Sequence, residues 1–219
     1  MKLRLDLHIH STYSPDSFNT IDTIHQRLQE QSFNGYALAD HDTIKGHAEA
    51  IEKAGEFTLI PALEVSAKGV HVLAFDPMDL VPPYLSMAET VEHIHDQGAT
   101  AILAHPYGLP KSWVKINEVR EAGFDAIEVA NSAQIPYDYI CGKNRRLAEE
   151  LGLPMTGGSD SHIPETIGRS FTVVESDSPS KDDVIKAIRL GRTSVGGTYT
   201  HITEWFSKNF RKKRRVLGV

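Results

Sequence analysis

Short apolar runs alternate with amphipathic stretches of helical length from residue 3 to about residue 190. That alternation, with short connections, predicts an α/β architecture with a largely parallel sheet. Seven or eight strands in about 200 residues suit a closed or nearly closed barrel better than an open sheet. The first segment, Leu3 to His10, alternates strictly. Leu3, Leu5, Leu7 and Ile9 fall on one side of a strand, and Asp6, His8 and His10 on the other. Two imidazoles two residues apart on one strand face can converge on one metal ion. Alone, the segment reads equally well as an edge strand showing polar residues to water.

The following elements are predicted in order. A helix over residues 20–32 buries Ile21, Ile24 and Leu28, and residues 35–39 form a short buried strand. Thr43 is placed to N-cap a helix over 44–55, with Ile44, Ala48 and Ile51 inward. Strands 57–65 and 70–75 meet across Lys68-Gly69 as a hairpin. A helix over 84–97 precedes a strand at 100–104, and Ser112 caps a helix through Ala122. Strand 124–129, helix 138–151, strand 154–156, strand 168–174 and a Ser180-capped helix to Leu190 complete the series. A Gly-rich segment leads from there to a basic tail. The polar residues His8, His10, His41, Glu64, His105, Asp160 and His162 all fall at or just beyond predicted strand C-termini. In parallel β/α folds those ends share one face, where active sites gather.

Composition narrows the function. With 40% hydrophobic and 24% charged residues among 219, this is ordinary globular composition for one domain with a small appendage. The expectation is a cytoplasmic protein without signal peptide or transmembrane segment. A single cysteine, Cys141, excludes an internal disulfide framework and reads as a small buried helical residue. Eleven histidines weigh toward metal or acid–base chemistry. Residues 208–219 hold six basic residues and no acid, so the remaining body carries −12 out of the net −6. An acidic body does not suggest a duplex-binding groove.

Residue by residue, Asp160-Ser161-His162 repeats the two-residue spacing of the first strand, after two glycines that let backbone approach a crowded centre. His41 lies between Asp40, placed to hold its ring, and Asp42, placed to cap the next helix. Glu64 ends an apolar strand and needs a cation or a hydrogen-bond network there. His71 stands across the hairpin, and His105 closes the run Ala101–Ala104. His25, His47, His93 and His95 read as exposed helical residues, with His201 in the tail region.

Taken together, these motifs resemble the PHP (polymerase and histidinol phosphatase) family. The carriers are Asp6-x-His8-x-His10, Asp16, Asp40-His41-Asp42-Thr43, Glu64, His71, His105-Pro106, Ile127-Glu128-Val129-x-Asn131 and Gly158-Ser159-Asp160-Ser161-His162. They occur in family order across residues 3–196. The likeness is greatest to stand-alone metal-dependent phosphoesterases and smaller to histidinol phosphatases. It implies a distorted (β/α)7 barrel over residues 1–200, a basic tail over 201–219, and a metal site at the strand C-termini. It implies two or three divalent ions, manganese, iron, zinc or magnesium. His8, His10, Glu64 and Asp160 would hold one, and Glu64 would bridge to a second at His71 and His105. Asp16, His41 and His162 would hold the third, with Asp6, Asp40 and Asn131 supporting the ligands.

Mixed imidazole and carboxylate donors suit borderline divalent metals. The expected activity is hydrolysis of a phosphate ester by a metal-activated water, without a phosphoenzyme. The substrate would be a nucleotide, nucleoside bisphosphate, RNA end or small phosphomonoester. Alternatives are a catalytically silent metal-binding scaffold or a histidinol-phosphate-type phosphatase. Related bisphosphate phosphatases carry a large insertion between the positions matching His71 and His105; only 33 residues separate them here, which predicts a more open site. Arg169, Arg145 and Lys111 are candidates for contacting phosphate. The tail, with Trp205, Phe206 and Phe210, is a candidate for weak RNA or anionic-membrane contact, or a solubilising terminus.

Overall fold

Nine strands and six α-helices are present in the computed structural model, which describes residues 1–108, 114–201, 203 and 204. In order they are β1 (Lys2–Ile9), α1 (Ile21–Glu30), β2 (Gly35–His41), α2 (His47–Lys53), β3 (Thr58–Ala67) and β4 (Val70–Phe75). Then come α3 (Met87–Asp96), β5 (Thr100–Ala104), α4 (Ile116–Ala122), β6 (Ala126–Asn131) and α5 (Tyr137–Leu151). The last are β7 (Met155–Gly158), β8 (Ser170–Glu175), α6 (Lys181–Arg189) and β9 (Thr193–Gly197). Lys111, Ser112 and the tail aromatics lie outside the described residues.

The strands form one sheet in the order β7-β6-β5-β4-β3-β2-β1-β8-β9. It curls until the β7 end meets β1, third from the other end: Ile9 bridges Ser161, the Asp160 amide donates to the His8 carbonyl at 2.8 Å, and the His10 amide donates to the Ser161 carbonyl at 3.0 Å. The result is a nearly closed barrel of mixed sense. The pairs β1–β2, β2–β3, β5–β6 and β6–β7 are parallel. By contrast β3–β4, β4–β5, β1–β8 and β8–β9 are antiparallel, so the expectation of a largely parallel sheet is corrected. For β3–β4, and through it β4–β5, the cause is the short Lys68-Gly69 turn. A connection that short can only return the chain antiparallel, because a parallel crossover needs a dozen or more residues. β9, in the Gly-rich segment, was not foreseen: glycines weaken a strand signal even where the edge of a sheet accepts them.

Alternation along β1 is broken. Leu5 pairs with Gly35, Asp6 with Tyr36 and Ile9 with Leu38, so three steps along β1 match two along β2. This is a bulge, and it re-aims side chains. Asp6 and Ile9 share the outer side with Tyr36 and Leu38, where α1 packs, while Leu7 and His8 both turn toward the interior.

Two layers of apolar packing follow. Inside the barrel, Leu3, Leu5, Leu7, Ile60 and Phe75 pack with Val184 and Ile188 of α6, which closes one end. Outside, α1 and α2 cover Ile9, Leu38 and Leu59, and α3 to α5 cover Leu63, Val72, Leu103 and Val129. Thr20, Ser86 and Ser180 N-cap α1, α3 and α6 through their hydroxyls, and at α3 Glu89 returns the bond to complete a capping box. The predicted cap at Thr43 is not formed. α2 begins later, after Gly46, and buries Ala50 while Ala48 and Ile51 stay exposed.

Candidate metal centre

The open end of the barrel interior gathers the polar residues. Glu64 lies on β3 three residues before its end, facing the interior beside Leu73 of β4. Because β4 runs antiparallel, His71 near its start arrives at the same end as residues that close the parallel strands. His105 and Asp160 follow β5 and β7 directly or nearly so, and both hold positive φ, 31° and 53°. Such backbone is costly for non-glycine residues and is typically retained at functional sites.

Four donor atoms converge first. His10 Nε2 lies 3.2 Å from His8 Nε2, from Glu64 Oε2 and from Asp160 Oδ1. His8 Nε2 lies 3.5 Å from Glu64 Oε2 and 3.8 Å from Asp160 Oδ1. Four ligands at bonds of about 2.1 Å in a tetrahedron stand about 3.4 Å apart, and these spacings bracket that value. A second group surrounds the other oxygen: Glu64 Oε1 lies 2.8 Å from His71 Nδ1 and 3.2 Å from His105 Nε2. In a third, Asp16 Oδ1 lies 3.4 Å from His162 Nε2 and 3.9 Å from His41 Nε2. Buried Glu64 Oε2 and His71 Nδ1 make no hydrogen bond despite such close polar neighbours. Lone pairs aimed at one another are unfavourable between protein groups and favourable around a cation, so the donor set fits divalent metal.

Outer partners fix the rings. His8 Nδ1 faces Glu128 Oε1 at 2.9 Å, His10 Nδ1 faces Ser14 Oγ at 3.2 Å, and His162 Nδ1 faces the Asp160 carbonyl at 2.9 Å. In each case Nδ1–H donates outward and leaves Nε2 for the centre. Ser14 donates to Asp40 at 2.7 Å, so Asp40 supports His10 through a hydroxyl rather than holding His41 as expected. The His41 ring instead meets Glu64 Oε2 at 2.9 Å, and Asp42 accepts from the amide and hydroxyl of Ser66 instead of capping α2. Asp6 does not touch a ring. It accepts the amides of His8, Ser159 and Gly168, tying β1 to the segment that carries Asp160. Asn131 donates to Glu128 at 3.0 Å and to Asp160 at 3.2 Å.

Glu128 was missed as a supporting residue. Its second oxygen also accepts the His105 amide, so one carboxylate steadies three neighbours. The signal was present, since Glu128 is an acid inside the apolar run Phe124–Val129, as Glu64 is in its own strand.

Burial opposes charge throughout this cluster, and the neighbours decide the outcome. At His8 burial favours the neutral ring, yet Glu128, Asp160 and Glu64 outweigh it and hold the pKa well above its ordinary value. At His41 burial is likewise outweighed, chiefly by Glu64, and the pKa rises to about 9. Burial pushes Glu64 and Asp160 upward, but surrounding imidazoles pull both well below the usual carboxylate range. Asp6, wholly buried, rises to about 6 because amide donors only partly compensate burial. The acids thus draw positive charge toward the cluster, the charge that divalent cations would supply.

The remaining described candidates make no hydrogen bond or ion pair with the cluster. Arg169 pairs with Glu204, and Arg145 is half-buried on α5. His25 and His47 are half-buried rather than exposed: His25 Nε2 meets the Tyr36 hydroxyl at 2.9 Å and His47 Nε2 the Ala62 carbonyl at 2.8 Å. Cys141 is buried on α5, as expected.

A barrel with a histidine and carboxylate cage at one end defines a class of metal-binding α/β proteins. The chain belongs to the PHP family: the PHP domain matches residues 6–142 and the PHP-associated region residues 141–193. An uncharacterized protein of Methanocaldococcus jannaschii is 28% identical over 142 residues, 59% of this chain and 82% of the relative. A 5'-3' exoribonuclease of Haemophilus influenzae is 30% identical over 108 residues, 47% of this chain and only 39% of that enzyme. A Shewanella sp. (strain MR-4) protein named "Probable phosphatase" is 22% identical over 228 residues, 84% of this chain and 88% of the relative. Among solved structures, a two-domain Bacteroides vulgatus protein, described as containing a predicted PHP-like metal-dependent phosphoesterase, superposes with TM-score 0.76 at 19% identity. That match covers 90% of this chain and 65% of the other.

Proposed function

We propose that this protein is a metal-dependent hydrolase of phosphate esters, acting on a nucleotide, nucleoside bisphosphate, RNA end or small phosphomonoester. One observation supports the reading: ring nitrogens of His8, His10, His41, His71 and His105 lie 2.8–3.5 Å from the two oxygens of Glu64, with Asp160, His162 and Asp16 adjoining them. We assign His8, His10, Glu64 and Asp160 to one ion, Glu64, His71 and His105 to a second, and Asp16, His41 and His162 to a third. Bound divalent cations supply Lewis-acid chemistry, lowering the pKa of water toward neutrality and offsetting charge on phosphate oxygens. The chain's own groups do the rest. Glu128, Ser14 and the Asp160 carbonyl fix the ring tautomers, and the apolar interior below keeps bulk water from the buried donors. Arg145 and Lys111 are proposed phosphate contacts. The names of the exoribonuclease and phosphatase relatives support ester hydrolysis without selecting a substrate.

The test is to measure bound metal in the purified protein. Phosphate release is then assayed with added manganese from sugar phosphates, nucleotides, 3',5'-bisphosphates and short RNA. Release from at least one class is expected. Full metal occupancy with no release from any of them would leave a silent metal-binding domain as the answer.

A further inference from the structure

A second polar site lies outside the barrel, behind the segment that carries Asp160 and His162. Its centre is Arg4, next to Asp6 on β1. The guanidinium carbon sits 4.1 Å from the ring centroid of Phe33 and 4.0 Å from that of Phe171, so two aromatic faces clamp it. Nη1 donates to the Gln31 carbonyl at 3.3 Å, whereas Nε is buried and makes no hydrogen bond. Among the described residues no carboxylate forms an ion pair with Arg4. Asp6, on the same side of β1, acts on Arg4 from beyond ion-pair distance and is itself engaged by three amides, so Arg4 keeps donor capacity for another partner.

The side chain borders a pocket of about 420 Å³ that Arg27 and Arg169 also line, together with Gln31, Gly168 and Phe171. Arg27 is occupied at its edges, donating from Nε to the Pro164 carbonyl at 3.1 Å and from Nη1 to Glu30 at 2.8 Å. Arg169 pairs with Glu204. Three guanidiniums therefore face a space in which Glu165 is the one acidic lining residue among those described. None of the nine clustered side chains contributes to its wall.

We propose that this pocket binds a small phosphate-bearing molecule. Guanidinium forks match phosphate oxygens in pairs, and stacking between Phe33 and Phe171 holds the Arg4 fork before any ligand arrives. Glu30 and Glu204 already pair with Arg27 and Arg169, so the unpaired fork is that of Arg4, and a phosphate, with more acceptor oxygens than a carboxylate, can draw Arg169 from Glu204 as well. The volume lies in the range of small-molecule sites and exceeds what a bare ion fills. An occupant would rest on Gly168, whose amide holds Asp6 at 2.8 Å, and beside Gln31, which donates to the Ile167 carbonyl at 3.0 Å. The site needs no metal and none of the nine clustered side chains, so its test is separate from that of the hydrolase reading.

The experiment titrates the full chain, kept in EDTA so that the histidine cage holds no cation, with inorganic phosphate, glycerol phosphate and acetate by calorimetry. Saturable binding of both phosphates is expected, with acetate at least tenfold weaker. Arg4→Gln should weaken phosphate binding at least tenfold with an unchanged circular dichroism spectrum. Glu204→Gln, which releases Arg169, should tighten it several-fold, and this variant decides if Arg4→Gln does not fold. His10→Ala should bind phosphate as the parent does. The proposal is overturned by absent binding in the parent, by acetate binding as well as phosphate, by unaltered affinity in folded Arg4→Gln, by unaltered or weaker affinity in Glu204→Gln, or by loss of binding in His10→Ala.

Discussion

The two ends of the barrel interior are built from the same strands and share almost no chemistry. At the end closed by α6, Leu3, Leu5, Ile60, Phe75 and Val184 pack apolar surface, and the polar side chains paired beside Phe75 and Leu5, Thr100 and Thr172, are uncharged. At the other end, a few residues further along the same strands, His8, His10, Glu64 and His105 are just as buried and are all ionisable. One end gains free energy from burial and the other spends it, since charged groups resist desolvation unless something compensates. Stability and reactivity therefore sit on one set of strands but at opposite ends, and substitutions should separate them.

The largest separation is expected at the open end. His10→Ala or Asp160→Ala should remove detectable phosphate release, a loss of about a thousandfold or more, together with at least one bound metal ion. The EDTA-treated protein should remain folded with a lowered melting temperature, because each change also removes one partner of a buried imidazole–carboxylate set. Activity surviving both changes would show that the cage is not the reaction centre. The closed end should give the opposite result. Leu5→Ala removes a fully buried side chain and should cost about 2–5 kcal/mol, lowering the melting temperature by roughly 10 °C. Metal content per folded molecule, read by elemental analysis, should remain that of the parent. If metal is lost in proportion to stability, the two ends are not separable.

Two substitutions probe the seam between the ends. A Cβ added at Gly158 would stand 2.4 Å from the His8 Cβ and 2.6 Å from its amide nitrogen. Gly158→Ala should thus push β7 off β1, lowering both thermal stability and metal content. Stability falling alone would show that His8 holds its place without that contact. A smaller effect is expected from Glu128→Gln. It keeps the shape but weakens the partner of His8 Nδ1, and should reduce metal affinity about 10- to 100-fold with the ligand count intact. Unchanged affinity would reduce Glu128 to a packing role.

Much of this contrast is legible in the sequence, because acids and histidines interrupting apolar runs mark the open end directly. The bounds of β4 and β5 follow from clean apolar runs between turn residues. What is not legible depends on pairing between distant segments. Strict alternation places Asp6 with His8, yet the bulge against β2 separates them, and only the register of Tyr36 and Leu38 reveals it. The same holds for His41, whose flanking acids look like its partners while Ser11, Ser14 and Ser66 claim them. α2 fails for another reason. Ile44, Ala48 and Ile51 form a plausible stripe, but the chain after β2 enters the helix late and presents Ala50 instead. Family resemblance supplied the grouping of ligands, which no spacing along the chain contains.

The smallest effect concerns protons, and it has opposite signs with and without metal. In the metal-free protein His41 is held near 9, against an ordinary value of 6.5, because Glu64 and Asp16 outweigh burial. The folded state then binds more protons than the unfolded chain between those two values, so this stabilisation is complete below about pH 6.5 and lost as pH rises through about 9. His8, raised by Glu128, Asp160 and Glu64, acts in the same direction. Glu64 and Asp160, pulled down by the imidazoles, contribute throughout that window and fail only in acid, below the usual carboxylate range. Melting temperatures in EDTA should therefore decline by a few degrees from pH 6.5 to pH 9. With saturating manganese the decline should vanish or reverse, because cations displace those protons and bind more tightly as pH rises. Parallel curves with and without metal would mean that the protons and the cations do not share one cage.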